Sequence, residues 1–176
     1  RQLHGYQPPN PNPTIGCHCN EILMKVNDRE IILQVWDTAG QEIYRALVPV
    51  YLRGAKAAII LYDITEAESF NSLSRWYEFL HGTVSDTTPT FLVANKIDLL
   101  SKTDNQNSQP YKQAIDNSTA QATAASFHSH FFKVSALTGA NVDALFTSVA
   151  QELLKTNSEI NSCEATLEVS DNKKCC

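Results

Sequence analysis

Nowhere in the 176 residues is there a G-x-x-x-x-G-K-[ST] run, the loop whose backbone N–H groups cradle nucleotide phosphates. The six glycines are scattered, and neither Gly5 nor Gly16 has a Gly-Lys-Ser/Thr beside it. No apolar run reaches the about 20 residues that a membrane-spanning helix needs, and no signal peptide is visible. Positive charge is scarce too: 14 Lys and Arg against 19 Asp and Glu leave a net charge of −5. That argues against nucleic acid as a partner, because a binder needs a basic stripe to displace counterions. The five cysteines, Cys17, Cys19, Cys163, Cys175 and Cys176, are odd in number and do not read as a disulfide framework. A reducing compartment is expected. The chain opens on Arg1 rather than Met, so a processed chain or a fragment is expected.

What is present is ordinary globular material, 43% hydrophobic and 19% charged, of a length for one domain. Pro8, Pro9, Pro11 and Pro13 make residues 1–13 an extended loop. Two strand-like runs, 17–26 and 30–37, flank Asn27-Asp28, a hairpin signal. Cys17-His18-Cys19 invites a metal, but a strand points His18 away from both thiols, and no matching ligand pair stands elsewhere. Small buried thiols are the plainer expectation, and His128 and His130 are likewise read as structural. Residues 42–52 read as a short helix. "AKAAIILYDI" (55–64) reads as a strand buried on both faces, and "TFLVAN" (90–95) as a second. Residues 69–80 read as a helix with Phe70, Leu73, Trp76, Tyr77 and Leu80 on one side. A helix over 114–126, a strand over 131–135 and a closing helix over 142–154 complete the pattern. Residues 101–113 look like a surface loop, and residues 155–176 like a disordered tail. Alternating strands and helices predict a mostly parallel α/β sheet.

In such sheets, ligands bind at the carboxyl ends of the strands. Asp37, Asn95-Lys96-Ile97-Asp98 and Ser135-Ala136 each follow a strand-like run. An acid at a strand end can hold Mg²⁺ through water. In "VWDTAGQE" (35–42), Gly40 lets a backbone N–H approach a phosphate, and Gln41 can orient an attacking water. Asp98 offers two acceptor oxygens to the paired donors on one edge of a purine. Asn95 can brace the loop, and Lys96 can lay its methylenes along an aromatic face. Each motif alone has a simpler reading, as a turn or a cap. Their joint order at successive strand ends does not.

Together they resemble the small GTPases of the Ras superfamily. "WDTAGQE" is similar to switch II, "PTIG" (13–16) to the end of switch I, and "NKID" and "SAL" to the two guanine-recognition motifs. "YLRGAKAAIILYDIT" (51–65), "SFNSLSRW" (69–76) and the final Cys-Cys look like the Rab family, and most like its endosomal branch. The resemblance covers residues 1–154 and the last two. It implies a three-layer P-loop-NTPase-type fold, a GTP/GDP switch with Mg²⁺, and work in vesicle-mediated transport on the cytoplasmic face of intracellular membranes. It implies that Thr14 and Asp37 hold Mg²⁺, that Gly40 contacts the γ-phosphate and that Gln41 positions the hydrolytic water. Asp98 would pair with guanine, Asn95 and Lys96 support the ring, and the Ser135-Ala136 pair present the Ala136 N–H to the guanine oxygen. Tyr6 stands near where the family places an aromatic against the base. Exchange factors, activating proteins and effectors would act through the switch loops, and two prenyl groups on Cys175 and Cys176 would anchor the tail.

The chain also departs from the family. Leu137 stands where a lysine is usual, Ile43 replaces a polar residue after Glu42, and the loop after Asp98 is longer than usual. The family's first strand, P-loop and first helix have no counterpart here. That strand lies mid-sheet, so its loss is expected to leave a central gap, weak stability and weak nucleotide binding. The alternative reading is a non-catalytic, GTPase-like interaction module.

Overall fold

The computed structural model describes residues 17–38, 48–101 and 113–167, without the side chains of 48, 101 and 157–167. The first element is an antiparallel hairpin, β1 (Cys17–Val26) and β2 (Arg29–Thr38). Its turn residues, Asn27 and Asp28, have φ of 50° and 61°. Positive φ at both central positions matches the right-handed twist of the flanking strands, and Asn and Asp tolerate it best after glycine. One face of the hairpin is buried: Ile22, Val26 and Leu33 pack with Met24, Ile31 and Val35. The other face is open, with Leu23 opposite Ile32 and Cys19 opposite Trp36. Cys19 is therefore exposed and Cys17 only half-buried, against the expectation of buried thiols.

After the short α1 (Val48–Leu52) come three parallel strands, β3 (Ala58–Asp63), β4 (Thr90–Asn95) and β5 (His130–Lys133), with β4 in the middle. β4 is buried from Thr90 to Ala94, and apolar from Phe91 to Ala94, because both its faces are covered. Leu92 and Ala94 join Leu73, Ala120 and Ala124 from one helix layer. Phe91 and Val93 meet Val142, Leu145 and Val149 from the other. Helices on both faces of a parallel sheet give the three-layer α/β arrangement that the sequence implies.

Several boundaries differ from the sequence reading. Among the described residues the sheet is not continuous: β2 and β3 form no ladder. On β3, Leu61 is half exposed, against the expectation of a strand buried on both faces. The helix expected over 69–80 is two, α2 (Ala67–Asn71) and α3 (Leu73–His81). Ser72 Oγ donates to Ser69 O at the junction, a back-bond of the kind that bends helices. α4 begins at Asn117 (Asn117–Ser126), not at 114, because Asp116 caps it. The Asp116 carboxylate accepts from the Ser118 hydroxyl and from the Thr119 amide and hydroxyl, which hold its pKa far below the usual carboxylate range. α5 (Val142–Leu167) continues well past residue 154. Only 48–52 of the helix expected over 42–52 lie within the described residues.

α5 ties the two sheets together. Its Phe146 and Leu153 pack into both the core under β4 and the core under the hairpin, and its Ala150 is fully buried against the hairpin. On the opposite layer, Tyr62 is 2% exposed and edge-on to Phe70. Burial pushes its phenol pKa up to about 12. Its hydroxyl meets no hydrogen-bonding partner among the described residues. A buried polar group left unpaired costs ~1–3 kcal/mol. Tyr62→Phe is expected to raise unfolding stability by ~1 kcal/mol, seen as a higher urea midpoint at unchanged slope. A lower midpoint would show that the hydroxyl is paired.

Candidate functional site

Parallel pairing brings the carboxyl ends of β3, β4 and β5 to one side of the sheet. Asp63, the last residue of β3, is in register with Asn95, the last of β4. Beyond β5 the chain stays attached to β4: Val134 N donates to Ala94 O (2.8 Å), and Ile97 N to Val134 O (3.2 Å). The two following loops are thereby held side by side.

Side chains lock them together. Asn95 Oδ1 accepts from its neighbour Lys96 N (2.8 Å) and from Ala136 N across the gap (3.0 Å). Asp98, in the first turn of the 3₁₀ segment Ile97–Ser101, accepts from Ser135 Oγ at 2.5 Å. Ser135 is fully buried, and its Oγ in turn accepts from Thr138 N at 3.0 Å. The turn closes through Gly139 N to Ser135 O (2.8 Å) and Ser135 N to Ala140 O (3.0 Å). Gly139 has φ of 88°, which a glycine adopts without a Cβ penalty. Asn141 Nδ2 then donates to Lys133 O (2.8 Å), joining the end of the turn to β5.

Lys96 carries the unusual backbone of the site, with φ of 68°. For a residue with a Cβ this left-handed conformation costs ~1–2 kcal/mol. The Asn95 bond to its amide offsets part of that, as does an ion pair from Lys96 Nζ to Asp63 Oδ2 at 2.7 Å. Burial pushes the Asp63 carboxyl up, but the Lys96 bond, the Thr65 hydroxyl and amide, and the Lys96 charge outweigh it and hold the pKa below its ordinary 3.8.

The residues expected from the sequence thus fall into three sets. Asn95, Lys96, Asp98, Ser135 and Ala136 form one connected cluster. Asp37 lies in the other sheet, exposed near the end of β2 and on the face of Leu33 and Val35. Thr14, Gly40, Gln41, Tyr6, Ile43, Cys175 and Cys176 lie outside the described residues. Leu137, in place of the usual lysine, is 47% exposed. The Ala136 N–H, expected to be offered to a ligand, is engaged by Asn95 Oδ1. A ligand oxygen would share it or require Asn95 to turn. Asp63 went unnoticed in the sequence, although its position as an acid ending a buried strand is the signal that singled out Asp37. A cleft of ≈ 230 Å³, lined by Tyr77, His81, Thr90 and Phe127 among others, lies at the opposite, amino end of β4.

A sequence model of the Ras family matches residues 4–155. "Ras-related protein Rab-2B" of Dictyostelium discoideum is 38% identical over 147 residues, which cover 84% of this chain and 68% of that one. The chain belongs to the Ras family, in its Rab branch. Other similar Rab-branch proteins include "Ras-related protein RABE1e" of Arabidopsis thaliana, 34% identical over 80% of this chain and 60% of the relative. "GTP-binding protein ypt3" of Schizosaccharomyces pombe is 36% identical over 81% and 62% respectively. The chain thus spans about three fifths to two thirds of the length of these family members.

Two outcomes follow for the Rab-branch loop pair. Asn95→Ala removes the acceptor shared by two amides. Amide exchange at Lys96 and Ala136 should accelerate together, with a loss of ~1–3 kcal/mol in local stability. Unchanged exchange at Ala136 would show that the loops hold without Asn95. The lowered Asp63 pKa contributes stability above the carboxyl's unfolded value, and this is lost as pH falls through the lower folded value. An NMR titration of the Asp63 carboxyl should therefore place its midpoint below that of a solvent-exposed aspartate in the same protein, with Thr65 and Lys96 signals moving at that same lower midpoint.

Proposed function

We propose that this chain acts as a Rab-type switch that binds GTP, hydrolyses it to GDP and phosphate, and serves vesicle-mediated transport. The observation that carries the reading is the coupling of two strand-end loops through Asn95 to Ala136 and Asp98 to Ser135. Their chemistry fits a guanine. Asp98 accepts from Ser135, and the two oxygens of a carboxylate suit the paired N1–H and 2-amino donors of guanine, which adenine does not present. The Ala136 N–H meets the 6-oxo group, and Asn95 and Lys96 support the ring.

The remaining roles rest on the family. Thr14 and Asp37 hold Mg²⁺, which neutralises phosphate charge when bound. An exposed carboxylate at a strand end suits an ion that keeps most of its waters. Gly40 N–H senses the γ-phosphate, and Gln41 orients water for attack, assisted by an activating protein. Loss of the γ-phosphate frees Thr14 and Gly40, which changes the surface that effectors and exchange factors read. Prenyl groups on Cys175 and Cys176 place the protein on the cytoplasmic face of intracellular, endosomal membranes, cycling with the cytosol. Residues 1–154 form the GTPase domain, and residues 155–176 lead to the anchor.

Asp98→Asn tests the reading. Asn presents one donor and one acceptor, which suits xanthine, with an oxygen in place of the 2-amino group. The variant should lose ~3 kcal/mol toward GDP, roughly 100-fold in Kd, and gain for xanthosine diphosphate. Calorimetric titration with GDP, ADP and xanthosine diphosphate reads both. Equal binding of GDP and ADP by the wild type, or unchanged GDP affinity in the variant, would overturn the assignment.

A further inference from the structure

The carboxyl end of β3 is built more firmly than a strand end requires. Asp63 Oδ1 accepts from Thr65 N (2.8 Å) and Thr65 Oγ1 (2.6 Å). Ser69 Oγ accepts from Asp63 N at 2.9 Å and sits within 3.2 Å of Asp63 O. The carboxylate is thus fixed from its own side, with Oδ2 aimed at Lys96. Its side chain is 14% exposed, whereas the lysine that it binds is 55% exposed. Lys96 is therefore tethered at its ammonium while much of its stem remains open to solvent. The positive φ at Lys96 belongs to the same arrangement: the Asn95 bond turns the backbone, and the Asp63 bond catches the far end of the side chain. A lysine stem free in solution samples many rotamers, and holding it costs side-chain entropy at the moment of binding. Here that ordering is already in place.

We propose that Asp63 is a positioning residue for nucleotide recognition, acting through Lys96 by fixing its ammonium so that its methylenes present one flat apolar surface to the purine. This rests on the guanine reading of the loop pair. Asp63 touches no ligand in this role. Its effect falls on how long the base is retained, not on which base is chosen, because Asp98 makes the choice. The register pairing of Asp63 with Asn95 explains why β3, which supplies no recognition loop of its own, contributes to the site.

The test uses Asp63→Asn, which keeps an acceptor for Thr65 and removes the charge, together with Asp63→Glu, Lys96→Met and the Asp63→Asn, Lys96→Met pair. GDP release is followed by stopped-flow with a fluorescent GDP, and Lys96 exposure by its rate of acylation, read by mass spectrometry without nucleotide. Asp63→Asn should speed both GDP release and Lys96 acylation about tenfold while GDP-over-ADP preference stays at the wild-type value. Asp63→Glu should restore part of each. In the Lys96→Met background, Asp63→Asn should add nothing to release. An additive effect there, or unchanged release in Asp63→Asn with GDP binding intact, would overturn the positioning role alone. A wild-type protein that binds no guanine nucleotide would overturn the guanine reading and this role with it. Faster acylation with unaltered release would leave the ion pair purely structural and also overturn the proposal.

Discussion

Everything at the candidate site depends on the parallel ladder between β4 and β5. That ladder runs past the formal end of β5, through Val134 to Ala94 and Ile97 to Val134. Two loops far apart in sequence therefore leave the sheet at the same level, within reach of one asparagine oxygen. Had the strands been antiparallel, their loops would emerge at opposite ends. Parallel order needs helical crossovers, and the buried faces of α3, α4 and α5 are what make β4 apolar on both sides.

The site is mostly occupied with itself. Asn95 braces Ala136, Ser135 braces Asp98, and Asp63 braces Lys96. Such mutual support orders the polar groups before any ligand arrives, which is how a rigid scaffold lowers the ordering cost of binding. The same support makes the Ala136 amide a shared donor rather than an idle one.

Strand identity was legible wherever apolar residues ran without interruption, as in "TFLVAN", whose bounds coincide with β4. The hairpin was legible because Asn-Asp is a turn signal with a stereochemical cause. Helix ends were harder. The break at Ser72 and the start after Asp116 are set by individual hydroxyl and carboxylate bonds that hydrophobic periodicity does not register. In the site, Asn95, Lys96, Asp98 and Ser135-Ala136 stood out because their motifs combine. Asp63 did not, because its importance arises from register across the sheet. The exposure of Cys19 was hidden for a related reason: alternation separates the two hairpin faces but does not say which of them a helix will cover.

Packing also has an order in time. The hairpin lies early in the chain, yet the helix that buries its inner face, α5, is the last described element. In order of synthesis, Ile22, Val26 and Leu33 are made well before Ala150, which covers them. The β3–β4 pair and the helices α2, α3 and α4 on one of its faces lie between the two. The inner face of the hairpin is therefore closed only by a segment made long after it.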